Sequence, residues 1–108
     1  LSELLDMGFK KKEAVQKIFK FDTSYIKMSD AVVFVMDGRV PDEGACIEVG
    51  IAYALGKECF GLKTDSRCLT NNMDNPMITG VLKGRVAESF SELESLLKKW
   101  MYDWRWEV

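Results

Sequence analysis

Glu48 is the one ionisable carboxylate between Glu43 and Lys57, and its neighbours Ala45, Cys46, Ile47, Val49, Ile51, Ala52, Ala54 and Leu55 are apolar. A carboxylate in that setting must be paired, hydrogen-bonded or used, because an isolated buried charge is too costly to keep. The chemistry open to it is set by what the chain lacks. The sequence has no histidine, which removes Ser-His and Cys-His nucleophile pairs and the common histidine zinc sites. Its three cysteines, Cys46, Cys59 and Cys68, form no CxxC pair and are odd in number, which fits buried or free thiols better than a disulfide framework. Reactivity therefore rests mainly on carboxylates acting as nucleophile or acid–base groups, with lysine, tyrosine or amide support.

The flanking elements say where Glu48 points. Ala-Val-Val-Phe-Val-Met at 31–36 is a continuous apolar run rich in β-branched residues, which predicts a strand covered on both faces. Asp37-Gly38 breaks it, and a short loop with Pro41 and Gly44 leads into a helix with almost no polar face, the pattern of a buried helix. In open α/β sheets ligands sit in the crevice at the carboxyl ends of the strands. Glu48 is expected in the first helical turn, where unpaired N–H groups and the helix dipole favour its ionised form. A capping-box glutamate is the bland alternative, but its N-cap would be Ala45, which has no side-chain oxygen.

Upstream, residues 1–12 are compatible with a short helix or a lid. From Lys11, the positions Ala14, Val15, Ile18, Phe19, Tyr25 and Ile26 fall at helical spacing and predict an amphipathic helix ending near Ser29. Asp22 lies within it and reads first as a solvated helix residue; Asp30 reads as a turn residue. Downstream, Gly56 is the expected helix terminator, and Glu58 to Leu62 the next, parallel strand. Gly50 to Lys57 has the wrong glycine spacing for a phosphate loop. Residues 64–74 read as a loop beside the same crevice, where Arg67 pairs with a local carboxylate or meets a ligand. Asn75 and Pro76 read as N-cap and first residue of a short helix. Residues 85–88 read as a short edge strand. Ser89 and Glu92 form a capping box for a last helix with an apolar stripe of Leu93, Leu96, Leu97 and Trp100. Trp100, Trp104 and Trp106 make a tail that must pack on the sheet or enter a subunit contact.

The stretch from Asp37-Gly38 through Asp42-Glu43-Gly44-x-x-x-Glu48-x-Gly50-x-Ala52-x-Ala54-x-Gly56-Lys57, followed by Thr64-Asp65-Ser66-Arg67 and Asn75-Pro76-Met77-Ile78, resembles the nucleoside 2-deoxyribosyltransferases. The likeness runs from about Ile18 to Leu82. It implies a flavodoxin/Rossmann-like α/β fold with a parallel sheet flanked by helices. The family opens with a strand and helix that build one wall of the base pocket, and the resemblance implies a chain lacking that first βα unit. The resemblance makes Glu48 the nucleophile and Asp42 the group that protonates or hydrogen-bonds the leaving base. It puts Asp22 at the nucleobase and Asp37, Gly38 and Gly44 in the substrate crevice. Asn75 and Met77 would reach a neighbouring subunit's site in a homo-oligomer.

The implied activity is transfer of 2-deoxyribose between nucleobases through a covalent glycosyl-enzyme, the logic of a retaining glycosidase with a base replacing water. Its partners are a nucleoside and a nucleobase, and it needs no metal or organic cofactor. An N-glycoside hydrolase acting on a deoxynucleoside or deoxynucleotide would use the same Glu48, with Ser66 and Arg67 as the available phosphate donors. A non-catalytic nucleoside- or nucleotide-binding module is the alternative outside enzymes. Whole-chain properties fit these readings. The 108 residues make a single domain, 1–108, and the net charge of −2 is built from interspersed signs, so neither nucleic acid nor membrane is an expected partner. No run approaches transmembrane length and the start is not a signal peptide, which makes the expected location cytoplasmic.

Overall fold

Strand β1, Ala31–Val35, pairs in parallel with β2, Glu58–Leu62, and β2 pairs in parallel with β3, Val86–Ala87. The register sets Ala31 opposite Glu58 and Val35 opposite Leu62, so the two longer strands end level. The helices are α1, Ser2–Asp6; α2, Lys11–Met28; α3, Glu43–Ala54; α4, Pro76–Val81; and α5, Phe90–Glu107. The structure, a computed structural model, describes residues 1–8, 10–65 and 74–107, with side chains described as far as Asp103. A three-stranded parallel sheet in order β1-β2-β3 with helices on both faces is a Rossmann-like α/β fold. Among the described residues no helix is long and apolar enough to cross a membrane.

The pleat divides the core in two. Phe34, Met36 and Cys59 point to one face and pack with Ile26 of α2, Val49 and Ala52 of α3, and Leu82. Phe60, Leu62 and Ala87 point to the other and meet Leu93 of α5, with Leu96, Leu97 and Trp100 around them. Phe60 and Met36 are among the largest fully buried side chains, each contributing about 1.5–3 kcal/mol by removal from water. Gly61 is glycine because a Cβ there would lie 2.8 Å from Leu82 Cδ1 and 2.9 Å from Met36 Sδ. Arg85 ties the starts of β2 and β3 together: it pairs with Glu58 at 2.8 Å, donates to the Cys59 carbonyl at 2.9 Å, and lies over the Phe60 ring.

Two burial expectations fail. Strand β1 is not covered on both faces: Val33 is 40% and Val35 53% exposed, because α5 lies over β2 and β3. Nor is α3 a buried helix. It covers the sheet with Val49 and Ala52 and leaves Ile47, Tyr53 and Leu55 open. A continuous apolar run has no polar face to mark its open side, so it cannot distinguish one-sided from two-sided burial.

The punctuation of the chain follows the sequence closely. Helix α3 ends as expected at Gly56, which takes φ +76° while its N–H donates to Tyr53 O and that of Lys57 to Ala52 O, the Schellman arrangement that only a residue free to adopt positive φ supports cheaply. Ser89 Oγ accepts from Glu92 N at 3.1 Å, and Glu92 reaches back to Glu88 N, so α5 starts on a capping pair shifted by one residue. Near the start of the chain Ser2–Asp6 form the short α1, and α2 opens at Lys11. The side chains of Trp104 and Trp106 lie outside the described residues.

Candidate functional site

The carboxyl ends of β1 and β2 are joined by their own side chains. Beyond the ladder, where Met36 N still donates to Leu62 O, the Asp37 carboxylate takes over. Its Oδ1 accepts from Thr64 N at 2.6 Å and Asp65 N at 3.3 Å, and its Oδ2 accepts from Thr64 Oγ1 at 2.7 Å. These donors hold the Asp37 carboxyl below its ordinary value, the Thr64 hydroxyl first among them. In return Gly38 N donates to Asp65 Oδ2 at 2.8 Å. Gly38 adopts φ +104°, a conformation that disfavours any side chain. Thus Asp37 and Gly38 lie just beyond the carboxyl end of β1, with the Asp37 oxygens engaged by the neighbouring loop.

Helix α3 starts earlier than the sequence reading placed it. Asp42, not Ala45, is the N-cap: its Oδ2 accepts from Ala45 N at 2.9 Å, and its carbonyl accepts from Cys46 N. Gly44 leaves room for that cap, since a Cβ there would approach Asp42 Oδ2 to 3.3 Å. Glu48 therefore sits in the second turn, beyond the free N–H groups, and the capping-box alternative lapses.

The electrostatic expectation for Glu48 reverses with this shift. The carboxyl is half-buried and its pKa is raised, first by burial and then by the negative charges of Asp22 and Asp42. No hydrogen bond from the described residues offsets these effects. Asp22 is exposed on α2, which packs beside α3, and its charge reaches Glu48. Of the three acids that the sequence singled out, Asp22 and Asp42 are thus both within electrostatic reach of Glu48.

The Asn75 turn forms as read. Asn75 Oδ1 accepts from Met77 N at 2.9 Å, Pro76 opens α4, and Met77 is 76% exposed. The sequence reading assigned no role to Lys63, although it links this turn to the crevice: its Nζ lies 3.7 Å from Asp65 and 3.2 Å from Asp74, the residue before Asn75. The only signal was alternating charge across a polar loop. Ser66, Arg67 and Cys68 lie outside the described residues. Among the described residues no group of three or more His, Cys, Asp or Glu could hold a metal ion.

The family model of the nucleoside 2-deoxyribosyltransferases matches residues 2–97. The chain belongs to the nucleoside 2-deoxyribosyltransferase family. The match spans every candidate residue from Asp22 to Met77. Among curated proteins none matches the chain. Nucleosides and nucleobases are the class of small molecule on which this family acts.

Proposed function

We propose that the protein transfers 2-deoxyribose between nucleobases through a covalent ester on Glu48. The observation that supports it best is the state of Glu48: a half-buried carboxylate with no hydrogen-bond donor among the described residues, flanked by two further acids. In the first half-reaction Glu48 attacks the anomeric carbon of a deoxynucleoside. The glycosidic C–N bond breaks, and its electron pair leaves with the base, which takes a proton from Asp42. In the second, a nitrogen of the incoming base attacks the same carbon, the ester electrons return to Glu48, and the displaced proton goes back to Asp42. The transition state resembles an oxocarbenium ion, which nearby carboxylates stabilise.

Roles follow from position. Asp42 uses Oδ2 for the cap and retains Oδ1 for the base, with Asp22 assisting from α2. Gly44 keeps the cap side of the crevice free of side chain. The exposed Met77 beside the Asn75 cap supports an extension across a subunit contact in a homo-oligomer; a monomer mass by light scattering, with full activity, would contradict that extension.

Base exchange between a deoxynucleoside and a free base, compared for the parent and Glu48→Ala, tests the reading. Exchange by the parent alone is expected. Equal exchange by both removes Glu48 from the role. Release of free deoxyribose unaffected by added base indicates a hydrolase, and calorimetric binding without turnover a binding module.

A further inference from the structure

We propose that Asp37 and Asp65 form a reciprocal latch between the β1 and β2 loops that fixes the Asp42–Glu48 segment, which makes Asp37 a positioning residue and not a substrate contact; the inference rests on the transfer reading above. Both aspartates follow the ends of paired parallel strands, where ladder hydrogen bonds stop and the two loops would otherwise separate. Four hydrogen bonds replace the ladder. Asp37 accepts three, from Thr64 N, Thr64 Oγ1 and Asp65 N, and Asp65 accepts the fourth from Gly38 N. Each side chain holds the other's backbone, so neither loop moves without breaking bonds to both.

This arrangement brings two like charges together, which is a cost in itself, and the Asp65 charge does oppose ionisation of Asp37. The donors outweigh it, and Lys63, whose side chain is 10% exposed, lies beside Asp65 and Asp74. The polar path therefore runs from Gly38 through Asp65 and Lys63 to Asp74, next to the Asn75 cap of α4. On the other side, Gly38 is followed within the same short loop by Pro41 and the Asp42 cap of α3. One latch thus connects the start of the helix bearing Glu48 with the start of α4. Positioning of this kind acts on rate, because reacting groups held slightly out of place lose much of their advantage.

The test compares Asp37→Ala with Asp37→Asn in the full chain. Asparagine keeps an oxygen for Thr64 N and Asp65 N and can donate its amide to Thr64 Oγ1, whereas alanine removes all three bonds. In Asp37→Ala, amide hydrogen exchange at Gly38, Thr64 and Asp65 is expected to rise about tenfold or more while that of the β1–β2 ladder stays put. The kcat for base exchange should fall about 10- to 100-fold with KM nearly unchanged, and the Glu48 side-chain carbon signal should titrate at lower pH as Asp42 moves away. Asp37→Asn should restore all three readouts. A rise in KM with kcat and amide exchange unchanged would overturn the latch in favour of substrate contact. Faster amide exchange with an unmoved Glu48 titration would overturn the positioning role. If the parent shows no base exchange, the transfer reading fails by itself, while amide exchange and the Glu48 titration still decide the latch.

Discussion

The charge of Asp22 on α2 acts on Glu48 of α3: the aspartate, exposed to solvent, adds to burial in raising the proton affinity of the glutamate. A nucleophilic Glu48 must be ionised, so activity should fall with decreasing pH through an inflection above the ordinary glutamate value of 4.5. Asp22→Asn removes one of the opposing charges. The acid limb of its kcat/KM profile should therefore move to lower pH, and an unmoved limb would show that Asp22 does not face the titrating group.

The same shift has a sign for stability. A carboxyl whose folded pKa lies above its unfolded one contributes stability below the unfolded pKa, and that contribution is lost as pH rises through the folded value. Ionised Glu48 is thus a cost to the fold at neutral pH. Glu48→Gln should raise the Tm at pH 7 while abolishing transfer, and the gain in Tm should vanish below the ordinary carboxylate range. Thermal melts of both proteins across pH 3–8 check it.

Asp42 has two tasks that substitution can separate. Asp42→Asn retains the side-chain oxygen that caps α3 and removes the ionisable group, so stability should hold while transfer falls about 100-fold or more. Asp42→Ala loses the cap as well and should cost a further 0.5–2 kcal/mol or so in denaturant unfolding. Equal stability of the two variants would show that the cap contributes nothing.

How much of this was written in the sequence depends on range. The strand, loop, helix, strand order from Ala31 to Leu62, the Gly56 stop, the Asn75-Pro76 start and the Ser89/Glu92 cap are local, set within a few residues by backbone sterics and hydrogen bonding. The α3 start was misread because Gly44, a poor helix former, lies inside the first turn. Moving the cap from Ala45 to Asp42 then carried Glu48 out of the dipole's reach and reversed its expected bias. The link from Asp37 to Thr64 spans 27 residues and depends on strand register, which no periodicity reveals. The open sides of β1 and α3 depend on where other helices lie, and Val33 or Ile47 carries no mark of that.

Gly61 tests the packing that holds the two strand ends level. A methyl group there meets Leu82, Met36 and Val86 in a filled core. Gly61→Ala should destabilise the fold by about 1–3 kcal/mol through overpacking, read as a lower urea midpoint with unchanged slope. An unchanged or higher midpoint would show that the core yields without strain.

The covalent step is tested most directly by trapping it. Incubation with a 2′-fluorinated deoxynucleoside, whose electron-withdrawing substituent destabilises the oxocarbenium-like transition states and slows turnover of the ester, should add one sugar to the chain. Peptide mapping by mass spectrometry should place that sugar on Glu48 and find none in Glu48→Gln, whose base exchange should fall at least about 1000-fold. A sugar attached to a different residue, or base exchange that continues undiminished in Glu48→Gln, would contradict the assignment of Glu48 as nucleophile.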